Sequence, residues 1–128
     1  MGQQTNRPNI LFILTDQLPK AAGRQGSVFA PFFGRPAATM VLVNSLARKT
    51  GASVFFFHTE RYPAARGYGL HCMPAPVGVD SPVVEEAAAA INLGLEGCIR
   101  RLPQQYLWGY KRFEKRADGG PSPYSSGK

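Results

Sequence analysis

Residues 9–17 read Asn-Ile-Leu-Phe-Ile-Leu-Thr-Asp-Gln, an unbroken apolar run that ends in the polar pair Asp16-Gln17. The run is only as long as a strand, and Pro8 bounds it at its start. An apolar run without polar alternation is typical of a strand buried on both faces, as in a parallel sheet. We therefore predict an α/β fold in which Asp16 and Gln17 lie past the carboxyl end of a buried strand, where such folds place functional groups.

Downstream of this strand, the pattern alternates between strands and helices. The clearest element is a helix in which Val84, Ala88, Ile91 and Leu95 recur at helical spacing. In chain order we predict a loop over residues 18–35, a helix over 37–50 ended by Gly51, strands over 53–57 and 68–73, a helix over 82–102 and a short helix over 103–110. Together they give about three mostly parallel strands with two or three helices, in a domain spanning residues 9–116. A polar lead-in (1–8) precedes this domain and a Gly-, Pro- and Ser-rich flexible tail (117–128) follows it.

The composition is basic, with 15 Lys and Arg against eight Asp and Glu and a formal net charge of +7 in 128 residues. This balance favours nucleic acids, anionic lipid headgroups or an acidic protein as partners, and ordinary solubility explains it equally well. No stretch approaches the roughly 20 apolar residues of a membrane span, so we predict a soluble or peripheral chain. The two cysteines form no Cys-x-x-Cys motif and no histidine stands at metal-ligand spacing, so we expect neither a metal site nor a cofactor.

Familiar catalytic motifs are missing from the sequence. It contains no Gly-x-Ser-x-Gly elbow, P-loop, Gly-x-Gly-x-x-Gly or His-Glu-x-x-His motif. The histidines, His58 and His71, fall within or just after predicted strands, which favours hydrogen-bonded structural roles for both. On position alone, Asp16-Gln17 is the best site candidate, since a carboxylate and an amide at a strand end can orient a substrate hydroxyl; a simple turn is the equal alternative.

Several stretches of the chain form an ordered series of motifs. They are DQLP at 16–19 with GSVFAPFFGRPA at 26–37, TM at 39–40 with LARKTGA at 46–52, FFFHTER at 55–61, GYGLH at 67–71, and AIN at 90–92 with PQQYLWGYKRF at 103–113. In this order they resemble the bacterial lipid A biosynthesis acyltransferases, the lauroyl/myristoyl transferase family. The resemblance runs from about residue 14 to 116 and matches the C-terminal half of that family.

The resemblance implies a fragment of the glycerolipid-acyltransferase-like α/β fold at the cytoplasmic face of the bacterial inner membrane, peripheral in this form. It implies transfer of a fatty acyl group from acyl carrier protein to a hydroxyl of a lipid A precursor, in lipopolysaccharide biosynthesis. The expected partners are therefore acyl carrier protein, the lipid A precursor and an anionic membrane surface, with no nucleic acid and no cofactor. In the family a His-x4-Asp/Glu pair is the general base and its orienter, and donors stabilise the oxyanion.

The chain departs from the family at that catalytic pair. His58 and His71 are each followed at the fifth position by proline, Pro63 and Pro76, so neither matches His-x4-Asp/Glu. In the family the pair lies upstream of the motifs quoted above. We therefore expect this chain to be a truncated part that binds or complements rather than catalyses by itself.

The resemblance also assigns roles to individual residues. It gives Asp16 a supporting role in catalysis and implies a substrate-binding group made of Gln17, Phe32, Phe33, Arg35 and Arg61. The phenylalanines would line an acyl groove, Arg35 would meet phosphate or thioester, and Arg61 would meet phosphate. Packing of the loop is the alternative for Phe32 and Phe33, and pairing with Glu60 is the alternative for Arg61. The C-terminal basic residues suit anionic lipid or acidic carrier protein, with plain solvation as the alternative: Lys111, Arg112, Lys115 and Arg116.

Two other function classes remain as alternatives. Residues 7–17 resemble the opening strand of sulfatases, and Cys72-Met73-Pro74-Ala75 resembles their Cys-x-Pro-Ser/Ala motif, but position 76 is proline rather than the arginine of that motif. A non-catalytic basic module that binds RNA would fit the charge, although no RRM, KH or zinc signature is present. Salt-sensitive retention of RNA without affinity for a lipid A precursor would distinguish that module.

Overall fold

The computed structural model describes residues 26–125, which form two β-hairpins and two helices. The elements in chain order are β1 (Ser27–Phe32), β2 (Arg35–Met40), α1 (Leu42–Thr50), β3 (Phe55–Arg61), β4 (Tyr68–Pro74), α2 (Val84–Arg101) and a 3₁₀ turn at Pro103–Gln105. The predicted strand over residues 9–15, and with it Asp16 and Gln17, lies outside the described residues. The predicted division into a lead-in, a domain and a flexible tail stays a prediction.

The predicted parallel sheet is wrong for residues 26–125. Here β1 pairs with β2 and β3 pairs with β4, both antiparallel, in two separate two-stranded sheets. The physical reason lies in the connections, since parallel strands need a crossover of a dozen or more residues. Only two residues separate β1 from β2, and only the segment 62–67 separates β3 from β4. The sequence pattern predicts a loop where β1 lies, because Pro31 interrupts it, and assigns residues 37–40 of β2 to the following helix.

The β1–β2 hairpin accommodates its prolines because they face one another. In the register Pro31 lies opposite Pro36, between the pairs Ala30–Ala37 and Phe32–Arg35. Opposed residues of an antiparallel ladder alternate between hydrogen-bonded and non-hydrogen-bonded pairs. Two residues without an N–H can occupy a non-hydrogen-bonded pair at no cost to the ladder, so the prolines fix this register.

Helix α2 forms the centre of the described structure, and both hairpins pack against it. One apolar cluster joins Phe32 and Ala37 of the first hairpin to Ile99. A second cluster joins Phe56 of β3 to Ile91 and to Val43 of α1. The helical prediction for this segment is confirmed, and its burial on several sides explains the run of small alanines at 87–90, which lets other elements approach closely.

Helix α1 is shorter than the sequence predicted. It begins at Leu42 rather than near residue 37, because residues 35–40 pair with β1. Its C-terminus is as predicted: Gly51 adopts a left-handed conformation (φ 68°) and its N–H donates to the Ala47 carbonyl. Asn44, buried on this helix, donates to the carbonyls of Val79 and Ser81 at 3.0 Å each and so ties α1 to the loop before α2.

Candidate functional site

The turn of the β1–β2 hairpin has a strained backbone at its tip. Phe33 and Gly34 both have positive φ, 47° and 75°, as a two-residue type I′ turn requires. Glycine adopts this conformation freely, whereas a phenylalanine there costs on the order of 1 kcal/mol. The turn therefore needs outside support to hold the Phe33 side chain in place.

That support comes from Glu96 on α2. Its Oε1 accepts the backbone N–H of Phe33 at 2.7 Å, and its Oε2 lies 2.9 Å from Arg100 Nη2 one helical turn along. The N–H of the first turn residue has no partner in a hairpin ladder, so the carboxylate supplies an acceptor that the strands do not. Only 11% of the Glu96 side chain is exposed, and both carboxylate oxygens are engaged by groups that satisfy a buried anion.

Three phenylalanine rings and three guanidinium groups meet around this turn. The Phe32 ring lies 4.9 Å from Phe33 and 6.0 Å from Phe113, between ring centroids. Each ring carries one cation: Arg112 over Phe32 at 5.1 Å, Arg100 over Phe33 at 4.9 Å and Arg35 over Phe113 at 5.4 Å. Such cation–π contacts hold a guanidinium in place while leaving its N–H edge open to other acceptors. We call this group the turn cluster.

A buried polar network fixes the turn cluster to α2. Asn92 is fully buried, and its amide nitrogen lies 2.9 Å from both the Pro31 carbonyl and Thr39 Oγ1. Its amide oxygen accepts Arg112 Nη2 at 3.3 Å, while Arg112 Nη1 donates to the Ala38 carbonyl at 2.5 Å. One side chain of α2 thus joins β1, β2 and the C-terminal segment, so the hairpin and Arg112 keep a single arrangement.

A second polar group lies on the β3–β4 hairpin. His58 and His71 face one another in the register, with stacked rings 5.0 Å apart, and His71 Nε2 lies 2.8 Å from Glu60 Oε2. Burial lowers the pKa of His58, and the charges of His71 and Arg101 lower it further. The Glu60 carboxylate pairs with His71 across the strands, and its charge offsets the lowered pKa of His58 only in part.

The structure brings together three of the predicted site residues. Phe32, Phe33 and Arg35 all belong to the turn cluster, with Phe32 buried and Phe33 and Arg35 exposed. Arg61 lies at the end of β3 in the other hairpin, where Gln105 accepts its N–H at 2.8 Å and donates to its carbonyl at 3.0 Å.

Comparison with known proteins shows the family to which the chain belongs. The sequence model of the bacterial lipid A biosynthesis acyltransferases matches residues 2–115, which include the turn cluster and α2. The chain belongs to the bacterial lipid A biosynthesis acyltransferase family. Because the match begins at residue 2, it also covers the segment that resembles a sulfatase strand.

Individual relatives of the chain support the same family. Over 103 residues, or 80% of the chain, it is 38% identical to the lipid A biosynthesis lauroyltransferase of Escherichia coli strain K12 and to the palmitoleoyltransferase of the same organism. Over 98 residues, or 76% of the chain, it is 35% identical to the lipid A biosynthesis acyltransferase of Haemophilus influenzae. These matches cover 34%, 33% and 30% of the relatives, so the chain spans about a third of their length.

Most residues that organise the site are absent from the set predicted from the sequence. Asn92 and Glu96 are polar residues one turn apart on an otherwise apolar face of α2, and that break in the pattern was the available signal. Arg112 is only 2% exposed, so the predicted direct contact between Arg112 and lipid or carrier protein is wrong.

Arg116 pairs with Asp118, and its hydrogen bond lowers the pKa of that carboxyl to about 2.

No helix within residues 26–125 has the length and apolar character to cross a bilayer. In the same range, no three His, Cys, Asp or Glu side chains are arranged to hold a metal ion.

Proposed function

We propose that this chain takes part in moving a fatty acyl group from acyl carrier protein to a hydroxyl of a lipid A precursor, at the cytoplasmic face of the inner membrane. Family membership supports the reaction class, and the relatives, a lauroyltransferase and a palmitoleoyltransferase, support lauroyl and related acyl groups as the transferred group. In that reaction the acceptor hydroxyl attacks the thioester carbonyl, a base takes its proton, and the developing oxyanion needs donors.

The turn cluster is the observation that carries this proposal. A lipid A precursor presents phosphates beside acyl chains, so its recognition needs cations next to apolar surface. Arg35 and Phe33 are both exposed at the hairpin tip, and a shallow groove continues from Arg35 and Phe113 to Lys115 and Arg116. This combination suits an amphiphilic anion better than a nucleic acid. Binding of single-stranded nucleic acid relies on bases that stack on aromatic side chains along an extended basic groove.

The part of this chain in the reaction is binding rather than proton transfer. Neither His58 nor His71 is followed by an acid at the fifth position, and His71 is paired with Glu60 instead. We propose that Phe33 and Arg35 contact the substrate, with Phe32 packed beneath them, and that Asp16 and Gln17 support the same site. The net charge of +7 favours the acidic acyl carrier protein and an anionic membrane surface as partners.

A chimera tests the reaction class. The 103 matched residues of the E. coli lauroyltransferase are replaced by those of this chain, and acyl transfer from lauroyl carrier protein to a lipid A precursor is measured. We expect product from the chimera and a loss of roughly tenfold or more when Arg35 is changed to Gln within it. An Arg66→Gln chimera is the matched control, because Arg66 is exposed in the turn of the other hairpin.

The purified chain provides the complementary test. We expect it to bind a lipid A precursor and to give no acyl transfer by itself. Product formed by the chain alone would contradict the division of roles proposed here. A folded chimera without activity would contradict the reaction class.

A further inference from the structure

Arg100 of the turn cluster combines a defined position with an open donor edge. Its guanidinium lies over the Phe33 ring at 4.9 Å, and Nη2 pairs with Glu96 Oε2 at 2.9 Å, yet 59% of its side chain is exposed. A guanidinium has five N–H donors in a planar fork, and the pair with Glu96 uses the Nη2 end. Most of the donor set therefore faces outward from a side chain whose orientation is already fixed.

Glu96 holds both the backbone of Phe33 and the guanidinium of Arg100. One carboxylate oxygen holds the strained backbone of Phe33 and the other holds Arg100, so the ring and the cation keep their relative positions. A side chain already held in its bound geometry loses less conformational entropy when a ligand arrives. An apolar residue at position 96 would avoid the desolvation of a carboxylate but would release both groups.

The ligand that fits this corner is a phosphate monoester attached to an apolar group. The planar fork of arginine matches phosphate oxygens, the half-exposed Phe33 ring offers apolar contact, and Arg35 adds a second cation at the other end of the turn. We infer that Arg100 binds a phosphate group of the lipid A precursor and that Glu96 is a positioning residue that presents Arg100 and Phe33 to it. This inference rests on the proposed function and names a contact of the same site.

The test uses the full 128-residue chain and phosphatidylcholine vesicles that contain a bis-phosphorylated lipid A precursor, with sedimentation as the readout. Arg100→Gln is compared with Arg101→Gln, which removes the same charge from the neighbouring residue of α2. We expect Arg100→Gln to weaken binding roughly fivefold and Arg101→Gln to leave it within about twofold. Arg100→Lys, which keeps the charge without the fork, should restore only part of the loss.

The Glu96 variants separate positioning from stability. Glu96→Gln keeps an acceptor for the Phe33 N–H, and Glu96→Ala removes it, so binding should fall in the order wild type, Gln, Ala. If Glu96 acts by positioning, we expect circular dichroism to show both variants folded at the assay temperature. Loss of binding only in proportion to the unfolded fraction would show a purely structural role and would overturn the assignment of Glu96.

Vesicle composition identifies the source of the phosphate. The Arg100→Gln loss should be absent on vesicles of phosphatidylglycerol, a phosphodiester, and on a dephosphorylated precursor, and inorganic phosphate should compete at millimolar levels. An equal loss on phosphatidylglycerol would overturn the assignment to a monoester. Wild type that binds precursor vesicles no better than plain phosphatidylcholine would reject the proposed function itself, whereas tight binding by both wild type and Arg100→Gln would reject only this inference.

Discussion

Two glycines of α2 provide a pair of identical substitutions with opposite expected effects. At Gly94 an added Cβ would lie 2.6, 2.8 and 2.9 Å from three ring carbons of Phe56, which is buried in the cluster with Ile91. At Gly97 the nearest atom to an added Cβ is Met73 Sδ at 4.0 Å, an ordinary contact. We expect Gly94→Ala to destabilise the fold and Gly97→Ala to stabilise it.

The magnitudes follow from two opposing contributions. Replacing a glycine inside a helix with alanine stabilises it by roughly 0.8–1 kcal/mol, and this gain applies at both sites. Overpacking a core by one methyl group costs about 1–3 kcal/mol, and only Gly94 incurs it, because the ring of Phe56 cannot withdraw from its cluster. The free energy of unfolding should therefore fall by up to about 2 kcal/mol for Gly94→Ala and rise by about 0.8–1 kcal/mol for Gly97→Ala.

Urea unfolding followed by circular dichroism at the helix band measures both values. The midpoints should move in opposite directions at an unchanged slope, since neither change alters the surface exposed on unfolding. Equal stabilisation by both alanines would refute the packing of β3 against α2 at Gly94. The double variant Gly94→Ala with Phe56→Leu is a further check, because a smaller side chain should relieve the clash, so its loss should be less than the sum of the two single losses.

Three further predictions test the polar groups. Asn92→Ala should lower the free energy of unfolding by about 3 kcal/mol, because it leaves buried partners without a hydrogen bond. Asn44→Ala should lower it by about 1–2 kcal/mol, because the two carbonyls that it leaves can be reached by water. Equal urea midpoints for the two variants would contradict this difference. Burial lowers the pKa of His58, so the folded state favours the neutral imidazole. The folded protein is therefore fully stable above pH 6.5, the pKa of this histidine in the unfolded chain, and it loses stability as the pH falls through the lower pKa of the folded state. The melting temperature of wild type should thus drop more than that of His58→Gln between pH 7.5 and 5, and parallel curves would argue against it. Iodoacetamide at pH 8 should modify exposed Cys72 faster than Cys98, whose pKa burial raises, and mass spectrometry showing similar rates would exclude that difference.

The local sequence determined the elements whose signals lie within a few residues. The spacing of Val84, Ala88, Ile91 and Leu95 predicted α2, and Gly51 predicted the end of α1, because helical periodicity and a left-handed C-terminal residue are properties of short segments. The ordered motifs also predicted the family, and the family match confirms it.

Tertiary structure alone decided how the strands pair and which polar residues form the site. Pro31 argues against a strand at β1 until it is seen opposite Pro36 of β2, a relation that exists only in the paired register. Likewise, Arg112 is indistinguishable from its basic neighbours in the sequence and is buried only because Asn92 and the Ala38 carbonyl meet it from elements 20 and 74 residues away. Strand register and buried hydrogen bonds depend on contacts between distant segments, and a local pattern carries no record of them.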